Sequence, residues 1–414
     1  MNRRDLRKLD RELSEFIDSM VEGMGRIERR EALASYLTGL LLDGERKSIE
    51  PMAARLVDDP SEIEAMRQRL QQAVVIADWA DDEMRARLAR KIDSELPGVE
   101  ALVVDDTGFP KKGTHSVGVT RQYSGTLGRI DNCQVAVSLH LAGEAGSGCI
   151  GMRLFLPEAW TSDPARLEKA GVPAGTGFKR KWEIALDQID DALRWGVRRH
   201  VVLADSGYGD ATEFRAGLRE RGLRYVVGVQ GEHRVWPPGV RPSLPEREPG
   251  MPGRPRTRLI ADEDPAKIAA VAFGLGRTAY STVRWREGSR GKQSSQFAAV
   301  WVTPAERHRK GRPGPPAEAV WLLIEWPESE AEPTKYWLAS FPRNASLVSL
   351  VRLAKLRWRV ERDYQELKQE IGLDHYEGRT WRGLHHHATL CAVAHGFLAL
   401  RRALFPPEEG VDAR

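Results

Sequence analysis

The chain has 414 residues, a formal net charge of +4, 29% charged and 41% hydrophobic residues. That length supplies two or three domains with a sizeable core, and the composition is globular rather than collagenous, disordered or membrane-spanning. Cys133, Cys149 and Cys391 stand far apart with no CxxC pair, which argues against zinc or disulfide frameworks and suits a reducing cytoplasm; no apolar run nears the roughly 20 residues that cross a bilayer, and the charged N-terminus is no secretory signal.

Residues 1–96 read as a small helical bundle. "LRKLDRELSEFIDSMVEGM" spaces Leu6, Leu9, Leu13, Phe16, Ile17 and Met20 at helical intervals, and two further periodic runs follow. Such a bundle serves either oligomerisation or DNA binding, since Arg and Lys recur on its polar faces. At "PGVEALVVDDTGFP" the texture changes to strand. "NCQVAVSLHLA" and "CIGMRLFLP" continue as strands around the turn "GEAGSG", so an antiparallel meander is expected. Next come helix "KRKWEIALDQIDDALRWG", strand "HVVLAD", "SGYGD", helix "ATEFRAGLRERG" and strand "RYVVGVQ". Strands linked through helices predict parallel crossovers, hence an α/β (α+β) mixed sheet flanked by helices, over residues 97–230.

From 231 to 342 a β-rich insertion is expected. "WPPGVRPSLPEREPGMPGRPRTR" reads as loop, followed by strands "YSTVRWR", "QFAAVWVT", "AVWLLIEW" and "KYWLASF", with the basic loop "ERHRKGRPG" among them. Residues 343–414 return to helix, one running from Ala345 to Ile371 and a last apolar one from His385 onward.

Two strands end in acid, Asp105 with Asp106 and Asp205. Strand ends are where α/β proteins hold chemistry, although an aspartate there also serves as a turn former or helix cap. Like charges held close raise each other's pKa unless a cation sits between them. Magnesium, a hard ion with oxygen ligands, is the usual partner. A third acid, Glu361, lies in the crowded helix "WRVERDYQELKQEIGLDHYEGR", with Asp363 and Glu366 beside it. On an unbroken helix Arg357, Glu361 and Lys368 share a face, and the apolar stripe Leu353, Leu356, Val360, Leu367 and Ile371 seats it on a sheet. Arg357 and Lys368 then grip phosphate, or else the charges merely form exposed i,i+4 pairs.

Together "VVDDTGFPKKGTHSVGVTRQYSGTLGRIDNCQVAVSL", "LADSGYGD" and "RWRVERDYQELKQEIGLDHYEGR" resemble the DDE transposases of bacterial insertion sequences, members of the RNase H-like, retroviral integrase superfamily. The subgroup with a Tyr-x2-Arg-x3-Glu-x6-Lys signature is matched by Arg357, Glu361 and Lys368, whereas Ala354 stands at the tyrosine position. The resemblance covers roughly residues 97–400. It implies catalytic, metal-holding acids at Asp105 or Asp106, at Asp205 and at Glu361, with two Mg2+ ions for which Mn2+ substitutes. It leaves the choice between Asp105 and Asp106 open, because neighbours on a strand point to opposite faces. It also implies that an aromatic of the insertion, Tyr336 or Trp337, stacks on a flipped DNA base. Lys111, Lys112 and Arg121 follow the first acids and are candidate phosphate contacts.

The expectation is thus a transposase that binds the terminal inverted repeats of its element in double-stranded DNA as a homodimer, cuts there, and joins the 3′ ends to target DNA. It would act in the bacterial cytoplasm near the nucleoid, with no membrane partner. A DNA-binding relative without activity and an RNase H-like nuclease without strand transfer are the alternatives. His385, His386 and His387 are consecutive and so cannot share one helix face around a metal.

Overall fold

The computed structural model describes residues 3–240, 242–243, 261, 263–288, 291–305 and 318–404. The basic loop "ERHRKGRPG" and most of the Pro-rich segment after Trp236 lie outside the described residues. The chain divides into two compact units, residues 1–199 with 358–414, and residues 200–357.

In the first unit, five helices precede the strands: α1 (Arg3–Val21), α2 (Ile27–Leu41), α3 (Ile49–Leu56), α4 (Ile63–Gln71) and α5 (Asp81–Glu95). Phe16, Ile17 and Met20 of the α1 stripe are buried, whereas Leu6 at its start is exposed. Four strands follow: β1 (Val99–Pro110), β2 (Thr120–Ser124), β3 (Arg129–Gly143) and β4 (Ser147–Leu154). β3 pairs antiparallel with β1, β2 and β4. The expected meander is present as β1, β3 and β4; β2 is an added hairpin partner in a stretch where the sequence showed no strand. Then come α6 (Glu158–Thr161), α7 (Pro164–Lys169) and α8 (Lys181–Arg194).

The second unit opens with β5 (Val201–Ala204), α9 (Ser206–Gly209), α10 (Thr212–Glu220) and β6 (Tyr225–Val229). β5 and β6 are parallel, as the helical linkage predicts. Next are β7 (Arg234–Trp236), β8 (Ala266–Lys267), α11 (Ile268–Gly274), β9 (Ser281–Gly288), β10 (Gly291–Pro304), β11 (Val320–Glu325), β12 (Lys335–Ala339) and α12 (Leu347–Leu356). The strands run β5-β6-β12-β11-β10, with β7 and β9 both on β10. Phe297, Leu322, Leu323, Ile324 and Leu338 are buried, so β11 is covered on both faces. Apart from α11, the expected β-rich character of this stretch is what the described residues show.

The chain returns to the first unit with α13 (Trp358–Gln369) and α14 (Trp381–Leu404). α14 is apolar almost all round and is buried by α2, α5 and β4, as such a helix must be. Gly396 permits the close approach of α5, for an added Cβ would stand 2.6 Å from a Leu88 methyl. The single helix expected over 345–371 is instead α12 and α13. At Arg357 the backbone N–H turns to Lys355 O, which interrupts the i→i−4 ladder. The apolar stripe Leu353, Leu356, Val360, Leu367 and Ile371 is nevertheless buried throughout. Each unit mixes strands with packed helices, and the chain is α/β of the RNase H-like mixed-sheet class. No helix among the described residues is long and apolar enough to cross a membrane.

Candidate active site

The register of β1 against β3 decides where its two aspartates face. Asp105 stands opposite Ser138, and Asp106 opposite Val137. Paired residues share a face and neighbours alternate. Val103, Asp105, Thr107 and Phe109 therefore share one face with Ser138 and His140, and Asp106 lies on the other.

The two faces carry different helices. α8 covers the Asp106 face: Gln188 Nε2 donates to Val137 O at 3.1 Å, and Lys181 Nζ donates to Asp106 Oδ2 at 2.8 Å. α13 covers the Asp105 face. Tyr364 and Ser138 hydroxyls are 2.6 Å apart, and His140 Nδ1 is 2.7 Å from Asp363 Oδ2. Glu361, exposed on α13 one turn before Tyr364, thus belongs to the helix that lies against the Asp105 side of the sheet. The Asp105 side chain also accepts its neighbour's N–H, from Asp106 at 2.8 Å.

Lys368 reaches the end of β1 from the same helix. Its Nζ donates to Gly108 O at 3.0 Å and to Thr126 Oγ1 at 3.3 Å, above the Phe109 ring. Burial lowers its pKa, with the Asp374 carboxylate opposing, so the ammonium is held in a partly dry setting that favours an anionic partner. Arg357 closes α12 at the edge of the second unit, half-buried.

The remaining candidates sit as follows. Lys111 donates to Tyr376 O at 2.7 Å and is half-buried, so its ammonium ties the loop after β1 to the chain beyond α13. Lys112 and Arg121 are exposed. In the second unit Asp205 caps α9 and accepts from Gly207 N at 2.9 Å. "SGYGD" packs so tightly that a Cβ on Gly209 would fall 1.9 Å from Gly228 O. Tyr336 and Trp337 are half-buried on β12; the Tyr336 hydroxyl donates to Pro333 O at 2.7 Å, and the Lys355 ammonium lies 5.5 Å from the Trp337 ring centre.

The acids beside Glu361 are not solvated. Asp363 and Glu366 are buried, 3% and 4% exposed. Asp363 holds His140 and, at 2.6 Å, the Ser147 hydroxyl. Glu366 takes Arg362 Nε at 2.6 Å, His395 Nε2 at 3.2 Å, and Arg402. Burial pushes the Asp363 carboxyl up, but His140, His395 and Ser147 outweigh it and hold it below the usual range. Burial likewise pulls His140 down, yet the Cys149 sulfur and the Asp363 carboxylate leave it raised to about 10. His140 Nε2 lies 2.9 Å from Ser138 Oγ. Asp363, His140, Ser138 and Tyr364 therefore form a closed ring that leaves α13 and returns to it two and three residues past Glu361. Sequence reasoning missed this ring. Its signal was Ser138 and His140, two polar residues at period 2 in the otherwise apolar run from Val135 to Ala142.

A hard divalent metal suits the donors that Asp105 and Glu361 offer. They are carboxylate oxygens, and Mg2+ is commonly held by one or two carboxylates, with water and substrate phosphate completing its shell. Among the described residues no three His, Cys, Asp or Glu side chains converge as a closed cage. His386 and His387 are spent on Val74 O and on the Tyr36 hydroxyl.

The model of the DDE superfamily endonuclease family matches residues 19–292, a span that takes in Asp105, Asp106 and Asp205 and stops before Glu361. The chain is 31% identical over 207 residues to the probable transposase for insertion sequence element IS701 of Microchaete diplosiphon, a match covering 50% of each chain. It thus spans about half the length of that curated relative. With the family model matching well over half of its residues, the chain belongs to the DDE superfamily endonucleases.

Proposed function

We propose that this protein is a DNA transposase of an insertion sequence. It recognises the terminal inverted repeats of its element as a dimer, cuts the phosphodiester at each end, and joins the freed 3′ hydroxyl to target DNA. One observation carries the assignment of the first acid. Asp105 shares a sheet face with Ser138, which is bonded to Tyr364 of the Glu361 helix, whereas Asp106 faces α8 and is ion-paired to Lys181. Asp105, Asp205 and Glu361 are accordingly the required acids, Asp205 on family resemblance alone.

Asp105 and Glu361 would hold divalent metal. When bound, Mg2+ activates a water and stabilises the leaving oxygen. Lys368, fixed at the end of β1, binds a phosphate flanking the scissile bond as a point charge. Arg357 offers a fork to another.

Cleavage of a labelled duplex carrying the element's own end tests the reading. The wild type is expected to cut at the end with Mg2+ and not with EDTA. Glu361→Gln should bind that duplex but leave it intact. Metal-independent cutting, or equal cutting by both proteins, would contradict the assignment.

A further inference from the structure

The hairpin of β2 and β3 has two unlike faces. Tyr123 pairs with Ile130 and Arg121 with Asn132, while Gln122 pairs with Asp131 and Ser124 with Arg129. By alternation Arg121, Tyr123, Ile130 and Asn132 share one face. The other face is spent internally. Ser124 is buried, and a Cβ on Gly108 would fall 2.2 Å from its Oγ. Arg129 is ion-paired to Asp131 at 2.9 Å. The outer face exposes a large aromatic and a branched aliphatic side by side, Tyr123 and Ile130, each 61% exposed. Arg121 stands exposed beside them, none of these four hairpin residues is a carboxylate, and along β3 their face is the one that carries Asp105.

The hairpin is also fastened next to the candidate acids. Thr126, in its turn, accepts from Gly108 N at 3.2 Å and from Lys368 Nζ at 3.3 Å. Gly108 is three residues beyond Asp105, about 10 Å along a strand and therefore about three base-pair steps of B-form DNA.

We propose that this face is a DNA wedge, resting on the transposase reading. Tyr123 and Ile130 enter a base step within about five pairs of the cut, and Arg121 takes an adjacent phosphate. Apolar side chains inserted between base steps unstack and kink the duplex. An aromatic ring stacks on any base regardless of sequence. The positive charge of Arg121 and Lys368 beside the apolar pair favours a polyanion over a protein partner.

The test uses full-length Glu361→Gln protein and duplexes carrying the element's end, with 2-aminopurine placed singly through the outermost positions. Binding should raise the fluorescence severalfold at one step within about five pairs of the cut. The variant Tyr123→Ser with Ile130→Ser should lose that rise and bind the end roughly tenfold more weakly, with an unchanged salt slope because no charge is removed. Tyr123→Trp should keep the rise. Unchanged thermal unfolding of the variants excludes a folding defect. If wild type binds the end and the serine variant gives the same rise, the wedge is refuted and the transposase reading stands. If the serine variant instead turns a DNA-free dimer into a monomer, the face joins two copies and the wedge is equally refuted. If wild type binds no duplex in a salt-dependent manner, both ideas fall.

Discussion

Replacing Asp363 by Asn tests the ring that seats α13. The Asp363 carboxylate is 2.7 Å from His140 Nδ1 and 2.6 Å from Ser147 Oγ, with side-chain exposures of 0% for His140 and 4% for Asp363. Removing one partner of such a buried pair costs about 3–5 kcal/mol, because the other charge is left uncompensated. At roughly 2–4 °C per kcal/mol for a unit of this size, Tm should fall by about 6–20 °C. The loss should depend on pH. His140 is raised in the folded state from 6.5 to about 10, so its contribution is complete below about pH 6.5 and fades as pH climbs through about 10. Urea unfolding of wild type and Asp363→Asn at pH 7 and pH 10.5 should show a stability gap that narrows at high pH. His140→Asn alone and the double variant complete the cycle. The reasoning is refuted by a gap under about 1 kcal/mol, by a gap that widens with pH, or by strict additivity of the two substitutions, since contacting residues must couple. As the ring meets α13 two residues past Glu361, end cleavage should fall together with stability.

Other expectations follow from the same geometry. Gly209→Ala should prevent stable folding of the second unit, because its Cβ would lie 1.9 Å from backbone Gly228 O and neither backbone can yield; circular dichroism and proteolysis read this directly. Lys355→Met should destabilise the protein by about 3–5 kcal/mol, since it removes one partner of a buried ion pair and leaves Glu325, 2.7 Å away, without it. An equal midpoint in urea would contradict that. Affinity for end DNA should fall steeply with salt, and Lys368→Ala should reduce the slope of log affinity against log salt by about 1; an unchanged slope would remove Lys368 from the phosphate contacts.

Much of the fold was legible because burial writes itself into period. The runs "ALVV", "VVLA" and "YVVGV" became β1, β5 and β6, and the stripe from Leu353 to Ile371 is buried. Asp205 was visible as the charge that follows the apolar run of β5, whereas Asp105 and Asp106, expected at a strand end, lie inside β1, whose pairing with β3 continues to Pro110. What was hidden depended on partners distant in sequence. "TRQYS" carries no apolar alternation, so the hairpin appears only through its pairing with β3. Asp363 and Glu366 look like a solvated helix face until His140, Ser147, His395 and Arg402 arrive from other elements to neutralise them. The break at Arg357 has no proline or glycine to announce it. The choice between Asp105 and Asp106 needed a register against β3, which one strand cannot supply.

That choice is the most direct test of the account. Asp105→Asn and Asp106→Asn should be compared for Mg2+-dependent cutting of the element's end, with duplex binding measured in parallel. Asp105→Asn is expected to bind and not to cut. Asp106→Asn loses a half-exposed ion pair with Lys181, worth at most about 1 kcal/mol, and should cut within about threefold of wild type. Cutting by Asp105→Asn with loss in Asp106→Asn would overturn the assignment of the Asp105 face as the catalytic one.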